Sequence, residues 1–423
     1  MVSVSPVTIE AIHAARERIR GRVRETPVLP STLLSDRLGA AVILKCENLQ
    51  RTGSFKARGA INVLASAIEA GRALSGVVAA SAGNHAQGVA LAAAEHGIPA
   101  TILMPRDAPL QKQVATRDYG ATVVLVGGPL SQAIEEARTL ASERSMLFVP
   151  PFDDAAVVAG QGTLGLELLE QVPDVETVVV PAGGGGLLAG VAIAIKAVRP
   201  GVRVVGVQTA VMPGIVASLR SGAPVAVEAA RTVADGTAVA GPSALTFDLI
   251  QRHVDQVITV PEEAIARAIV LLIERSRLVV EGAGALGVAA VLSGALAGVV
   301  PSPGKTAIVL SGGNIDVTAL GRIVARGLLL EGRQCTLTVA AANVPGELAR
   351  ITRAMADAGA NVIEVRHEIV TPDLPLGVAR LTFRLEVTGA EAFEALLDTL
   401  EAHGLREGVA TDLATPAAAA AAW

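Results

Sequence analysis

At 423 residues the chain is too long for one compact core, and two or three domains are expected. Hydrophobic residues make up 51% but aromatics only 2%, so the core must be built from Ala, Val, Leu and Ile, which favours helix-covered parallel sheets over an aromatic-rich sandwich. A net charge of −5 without a basic run speaks against nucleic acid, and no apolar run approaches the roughly 18 residues of a membrane span. No charged-then-apolar leader opens the chain, so a cytoplasmic protein without membrane contact is expected. Cys46 and Cys335 lie far apart without CxxC spacing, which indicates neither a disulfide framework nor a zinc site, and Cys46 reads as a buried, inert thiol.

Residues 8–22 read as a polar-faced helix, and Thr26-Pro27 leads towards a first strand. The apolar run from Ala41 to Leu44 is followed by Arg51-Thr52-Gly53-Ser54-Phe55-Lys56-Ala57-Arg58-Gly59-Ala60, which opens an amphipathic segment. Lys56 therefore falls on the first turn of a helix after a Gly-Ser bend. There it meets the positive end of the helix dipole, which disfavours the ammonium and frees the amine for Schiff-base chemistry. Taken alone, the stretch is explained equally well by a solvated surface lysine.

Further strands are predicted at 76–80, 100–104, 122–126 and 146–149, with helices around 57–70, 86–96, 110–119 and 130–144. The pattern resumes with strands at 177–180, 202–207, 256–260 and 306–310. These are continuous apolar runs, as parallel strands covered on both faces require. Alternation of strand and helix over roughly 300 residues marks an open α/β architecture, and the number of strands suggests two sheets with a site between them. After Arg326 the character changes. Residues 334–341 alternate, Asn343-Val344-Pro345-Gly346 opens a helix to about Ala358, and alternating segments at 362–369 and 378–387 precede a helix at 390–402 and a last short strand. This βαββαβ order within about 80 residues is ferredoxin-like.

Three glycine-rich turns each follow a predicted strand: Ser81-Ala82-Gly83-Asn84-His85, Ala182-Gly183-Gly184-Gly185-Gly186-Leu187, and Ser311-Gly312-Gly313-Asn314. Ligands of open α/β sheets bind beyond the carboxyl ends of strands, where all three lie. Four successive glycines at a helix start offer a nest of backbone N–H groups suited to a phosphate. Gly184, Gly186 and Ala189 also satisfy the dinucleotide pattern G-x-G-x-x-A, but the next strand ends at Gln208, so no carboxylate is placed for a ribose hydroxyl. A small phosphorylated cofactor fits better. Glycines that merely permit tight helix–strand packing explain one such turn but poorly explain three. Asn84 stands where a helix N-cap belongs, and His85 reads equally as a half-buried histidine bonded to backbone, with no catalytic role. Ser311, ending a buried strand, can exchange a hydrogen bond with a ring nitrogen. Glu281, in Glu281-Gly282-Ala283-Gly284-Ala285, reads as orienting backbone rather than acting as an acid. Neither a metal-ligand cluster nor a G-x-S-x-G elbow occurs.

Taken together, GSFKARGA around Lys56, SAGNHAQG from Ser81, GGGGL from Gly183, VEGAGA from Val280 and LSGGN from Leu310 resemble the fold-type II pyridoxal-phosphate enzymes, specifically the threonine/serine dehydratases. The match covers most of residues 8–326 in order and spacing, and the C-terminal unit resembles a single ACT regulatory domain. The resemblance implies an α/β fold class with two open layers of the tryptophan-synthase-β-like type. Residues 1–328 would form the catalytic domain, with a small subdomain at about 47–150 inserted in a larger one. Residues 333–412 would form the ACT-like domain, and 413–423 a disordered Ala-rich tail.

The implied cofactor is pyridoxal 5'-phosphate. Lys56 would hold its aldehyde as a Schiff base and then act as base towards the substrate Cα proton. Gly183, Gly184, Gly185, Gly186 and Leu187 would bind the phosphate, Asn84 the ring hydroxyl, and Phe55 and Gly236 would flank the ring faces. Backbone amides of Ser81, Ala82, Gly83, Asn84 and His85 would receive the substrate carboxylate, and Ser311 would meet the pyridine nitrogen. A neutral hydroxyl there leaves the ring largely unprotonated, which suits β-elimination over transamination. The implied activity is that of a threonine ammonia-lyase at the entry to isoleucine synthesis. L-threonine would give 2-oxobutanoate, and L-serine pyruvate, each with ammonia; one methyl group separates the substrates, worth about 1–3 kcal/mol in a pocket.

Ala82 stands where the related serine racemases carry a second hydroxyl base, so racemisation is expected to be minor. Their divalent-metal ligands cannot be placed in Gln208-Thr209-Ala210-Val211-Met212-Pro213, so no metal is expected. In the ACT-like unit, Asn343-Val344-Pro345-Gly346 replaces the usual Asp-Arg-Pro-Gly loop. Asn343, Pro345 and Gly346 are the effector candidates, for isoleucine or valine, with a ligand-free dimerisation module as the alternative. A homodimer or homotetramer is expected. The rival functions are a serine racemase or serine dehydratase type of enzyme, a β-replacement enzyme of the same fold, which needs a second, nucleophilic substrate, and an amino-acid-sensing binding protein without catalysis. Lys56 together with every cofactor loop opposes the non-catalytic reading.

Overall fold

A computed structural model describes residues 7–301, 303–405 and 410–411, and the Ala-rich tail expected from 413 lies outside them. Along the described chain the strands are β1 (Val28–Pro30), β2 (Ala41–Lys45), β3 (Val77–Ala80), β4 (Ala100–Pro105), β5 (Thr122–Val126), β6 (Leu147–Phe148) and β7 (Thr177–Pro181). Then follow β8 (Arg203–Thr209), β9 (Gln256–Val260), β10 (Lys305–Val309), β11 (Gln334–Ala342), β12 (Asn361–Glu368), β13 (Val378–Glu386) and β14 (Ala410–Thr411). They assemble into a six-stranded sheet β1-β2-β10-β7-β8-β9, a four-stranded sheet β5-β4-β3-β6 and a four-stranded sheet β12-β13-β11-β14.

In the six-stranded sheet every pairing except β1 with β2 is parallel, and the β3–β6 sheet is parallel throughout. Every residue of β3 and β7 is buried, which demands helices on both faces. Edge strands depart from the sequence expectation of uniformly buried runs. β5 has a neighbour on one side only, and its Val124 and Leu125 are 39% and 37% exposed. Position in the sheet, which is a tertiary property, sets that exposure. Two elements near the start carried no clear signal: the short antiparallel β1 and the helix Thr32–Leu38, which ends at Gly39 in the left-handed conformation.

The chain leaves the six-stranded sheet after β2, builds β3–β6, and returns through the long helix Ala155–Gln171 to β7. That helix packs on the helix Lys56–Glu69 through a buried ionic cluster. Arg58, 1% exposed, donates to Glu47 Oε1 and Oε2, both at 2.8 Å, and to Glu167 Oε2 at 2.8 Å. Lys45 Nζ donates to Glu167, to Gln171 Oε1 at 2.7 Å and to Thr26 O at 2.6 Å. The cluster anchors the helix that begins at Lys56.

Contacts divide the chain at Val317, so the helix Val317–Leu330 groups with the C-terminal unit. In that unit Cys335, Leu337, Val339 and Ala341 of β11 are buried while Thr336 and Thr338 are partly open, the period of two that the alternation predicts. Gly346, at φ 93°, precedes the helix Glu347–Asp357, which explains a glycine at that position. The βαββαβ order and the fully antiparallel sheet make this unit ferredoxin-like. Among the described residues no helix is long and apolar enough to cross a membrane.

Candidate active site

Lys56 is the first residue of the helix Lys56–Glu69, as the Gly-Ser bend predicts. The bend is stitched to the turn after β10: Phe55 N donates to Ser311 O at 3.1 Å, and Ser54 pairs with Gly312. Lys56 Nζ donates to Pro151 O at 2.7 Å and lies 5.1 Å from the centre of the Phe55 ring. Loss of hydration pushes its ammonium down to about 8, with Glu281 opposing the shift. A surface lysine is thus ruled out. The direction matches the dipole argument, but the cause is withdrawal from water.

The carbonyl that receives Lys56 leads directly to the glycine turn. Phe152, next to Pro151, lies against Gly184, where a Cβ would sit 2.4 Å from the phenyl ring. Gly183 abuts Thr237 in the same way, and Gly185, at φ 94°, has room only up to Ile250. Thr246 Oγ1 holds the turn by donating to Gly184 O at 2.8 Å, and Thr246 is itself fixed in a capping box with Ser243. Protein atoms thus occupy every Cβ direction along residues 183–185, the Thr237 backbone at Gly183 and side chains at Gly184 and Gly185, and Leu187 points into the core at 5% exposure. Only backbone N–H groups remain to face a ligand, which fits a phosphate. Gly184→Ala is therefore expected to weaken binding of a phosphorylated cofactor by more than about tenfold, with Phe152→Ala partly restoring it; equilibrium titration of both proteins checks this.

The turn after β3 corrects one expectation. Gly83, not Asn84, is the N-cap of the helix Asn84–Glu95, and Asn84 spends its side chain elsewhere. Its Nδ2 donates to Glu281 Oε1 at 2.7 Å and its Oδ1 accepts from Asn314 Nδ2 at 2.8 Å. Gly236 and Gly312 both lie against Glu281 Oε1. Burial raises the Glu281 carboxyl to about 8, with Asp235 adding to the shift and Asn84 opposing it. His85, 4% exposed, bonds to Val149 O at 2.8 Å and is pushed down to about 3 by burial and by Lys56, so it is neutral and structural. The run of free backbone amides expected from Ser81 to His85 is shorter than predicted. Ser81 N donates to Leu103 O at 3.1 Å and Gly83 N to Ser81 Oγ at 3.1 Å. Those of Asn84 and His85, on the first helical turn, have no acceptor within the helix. Ser311 follows β10 at 3% exposure.

Lys56, Phe55, the glycine turn, Asn84, Gly236 and Ser311 are therefore linked by a continuous set of contacts through Pro151, Phe152, Thr237, Glu281 and Gly312. Asn343, Pro345 and Gly346 belong to the C-terminal unit. Sequence reasoning missed the Pro151 carbonyl and Thr246, for which no local pattern exists, and gave Asn314 no role although its motif was legible. Among the described residues no group of His, Cys, Asp and Glu could hold a metal ion. Gln208 Oε1 instead accepts from Ile215 N and Val216 N at 3.0 and 3.2 Å.

A desolvated amine suited to a carbonyl carbon, an amide-only cradle suited to a phosphate, and a buried hydroxyl at a strand end define an enzyme built around a phosphorylated aldehyde. Residues 19–312 match the family model described as pyridoxal-phosphate dependent enzyme, and residues 336–404 match that of the ACT domain. The chain belongs to the pyridoxal-phosphate-dependent enzymes, and its C-terminal unit is an ACT domain. It is 47% identical to the L-threonine ammonia-lyase of Thermotoga maritima over 94% of this chain and 98% of that protein. Among solved structures it is similar to the threonine deaminase of T.th., with a TM-score of 0.69 and 42% identity over 73% of this chain and 99% of that one. Maize serine racemase shows a TM-score of 0.72 and 34% identity over 77% of this chain and 98% of the other.

Proposed function

We propose that this protein is an L-threonine ammonia-lyase. L-threonine loses the Cα proton and the Cβ hydroxyl as water, and hydrolysis of the remaining C–N bond gives 2-oxobutanoate and ammonia; L-serine gives pyruvate in the same way. The observation that carries this is the Lys56 amine, pushed down to about 8 and held by Pro151 O beside the glycine turn. The 47% identity to an L-threonine ammonia-lyase across nearly the whole of both chains supports the substrate.

When bound, pyridoxal 5'-phosphate supplies the electron-withdrawing ring that makes the substrate Cα–H acidic. Lys56 Nζ would hold the cofactor aldehyde and, as a free amine, would take the substrate Cα proton; a value near 8 lets it both accept and release a proton at neutral pH. The N–H groups of residues 183–186 hold the phosphate, and Asn84 meets the ring hydroxyl. Phe55 and Gly236 bound the ring. The amides of Asn84 and His85 receive the substrate carboxylate, with Ala82 lining the same turn. Ser311 would offer the ring nitrogen a neutral partner in place of a carboxylate, so the nitrogen would not be held protonated, which favours elimination. Residues Asn343, Pro345 and Gly346 of the ACT domain form an effector turn for isoleucine or valine in a cytoplasmic homodimer or homotetramer.

The test is release of ammonia and 2-oxo acid from L-threonine and L-serine by the purified protein, with and without isoleucine or valine. Production of 2-oxobutanoate is expected, with threonine preferred. A bound cofactor with no 2-oxo acid formed would move the function to β-replacement. No change on adding either branched amino acid would remove the effector role.

A further inference from the structure

Asn314, Asn84 and Glu281 form a chain of side-chain hydrogen bonds that starts at a backbone carbonyl. Thr52 O can only accept, and Asn314 Nδ2 donates to it at 2.6 Å. That contact decides which way the Asn314 amide points, and its second N–H reaches Asn84 Oδ1 at 2.8 Å. Asn84 is then fixed in its turn. Its Oδ1 is taken and one Nδ2 hydrogen goes to Glu281 Oε1 at 2.7 Å, which leaves one N–H uncommitted.

Two glycines make the chain sterically feasible. A Cβ on Gly312 would lie 2.4 Å from Glu281 Oε1 and 3.2 Å from Asn84 Nδ2, and one on Gly53 would lie 2.3 Å from Asn314 Oδ1. The backbone ties the same segments together, since Glu281 N donates to Gly312 O at 3.0 Å and Gly313 N to Gly53 O at 2.8 Å. The approach to Glu281 is itself unusual. A π-helical turn, Leu272–Ser276, ends at Arg277 with φ 59°, a conformation that costs a non-glycine residue energy and is retained where surrounding structure imposes it.

We propose that Glu281 and Asn314 are positioning residues that hold the Asn84 amide so that its one uncommitted N–H meets the ring oxygen of the bound cofactor and sets the charge on that oxygen, a role that rests on the assignment of Asn84 to the ring hydroxyl. The charged groups that face Glu281 are Asp235 of the turn Asp235–Thr237, Lys112 of the helix Leu110–Asp118, and Lys56. Lys112 Nζ pairs with Asp235 Oδ2 at 2.8 Å, which draws the charge of Asp235 away from Glu281. Burial leaves the Glu281 carboxyl neutral near pH 7, so it accepts from Asn84 without placing a negative charge beside the ring oxygen. Glutamine is its uncharged isostere.

A double-mutant cycle on the holoprotein tests this, with the absorption maximum and the dissociation constant of the bound cofactor as readouts and Tm measured in parallel. Asn84→Ala is expected to shift the maximum and weaken the cofactor about tenfold, the factor that one hydrogen bond of about 1.4 kcal/mol represents. Glu281→Ala should reproduce most of both changes, and the double variant should be no worse than Asn84→Ala alone. Glu281→Gln should keep the wild-type maximum. Additive effects in the double variant, or an unshifted maximum in Glu281→Ala, would overturn the proposal. An unshifted maximum in Asn84→Ala would overturn the assignment of Asn84, and the proposal with it. If Glu281→Ala does not fold, Asn314→Ala takes its place in the cycle with the same expectations.

Discussion

Lys56→Ala is expected to abolish the borohydride-reducible absorbance of the protein and to lower 2-oxo acid production by roughly 10⁴-fold, because it removes both the covalent anchor and the base. Tm of the apoprotein should hold or rise, since Lys56 gives up hydration for one hydrogen bond to Pro151 O and the face of the Phe55 ring. The lowered value near 8 adds a pH signature with a defined sign. Below it the amine carries a proton and cannot attack an aldehyde; above it the amine is free. The rate at which the apoprotein captures the cofactor should therefore rise up to about pH 8 and then level off. A rate still climbing towards pH 10.5, the ordinary lysine value, would show an amine that keeps its water and would remove the basis of the catalytic reading.

Arg58→Leu is expected to destabilise the protein by about 3–5 kcal/mol, measured as a fall in the urea midpoint of the apoprotein, because it strands a carboxylate with no access to water. Glu47 is fully buried, and its two oxygens accept from Arg58 at 2.8 Å each. Burial by itself would raise the Glu47 carboxyl, but the adjacent guanidinium outweighs it and holds the group below its ordinary 4.5. The folded value is thus depressed, so the stability it contributes is present above pH 4.5 and is lost as pH falls. In Arg58→Leu the largest opposing charge is gone, and burial pushes the Glu47 carboxyl up against only Lys45 and Thr26. The gap between wild type and variant should accordingly narrow below pH 4.5. A constant gap across that range would show that Arg58 acts by packing alone. The same cluster anchors the helix that starts at Lys56, so milder substitutions such as Arg58→Lys are expected to lower cofactor retention before they unfold the protein.

Much was legible in the residues themselves. Hydrophobic runs marked the buried strands because a strand covered on both faces has no polar side to show, and the switch to period two after Arg326 marked a sheet with one open face. Turn and helix starts are encoded by immediate neighbours, so Lys56 at the head of its helix, the glycine turn before Gly186–Val198 and Gly346 before Glu347–Asp357 could be read directly. Family membership followed from the order and spacing of five short motifs. Only tertiary structure could decide the rest. Asn84 looked like an N-cap because capping is a local property, yet its partners Glu281 and Asn314 lie 197 and 230 residues away. β5 is exposed because nothing pairs beyond it, and Lys56 is shifted by lost water more than by its own helix. Local chain chemistry determines which element forms and where it turns. Burial, and with it the charge state of Lys56 and Glu281, depends on what the distant chain brings alongside.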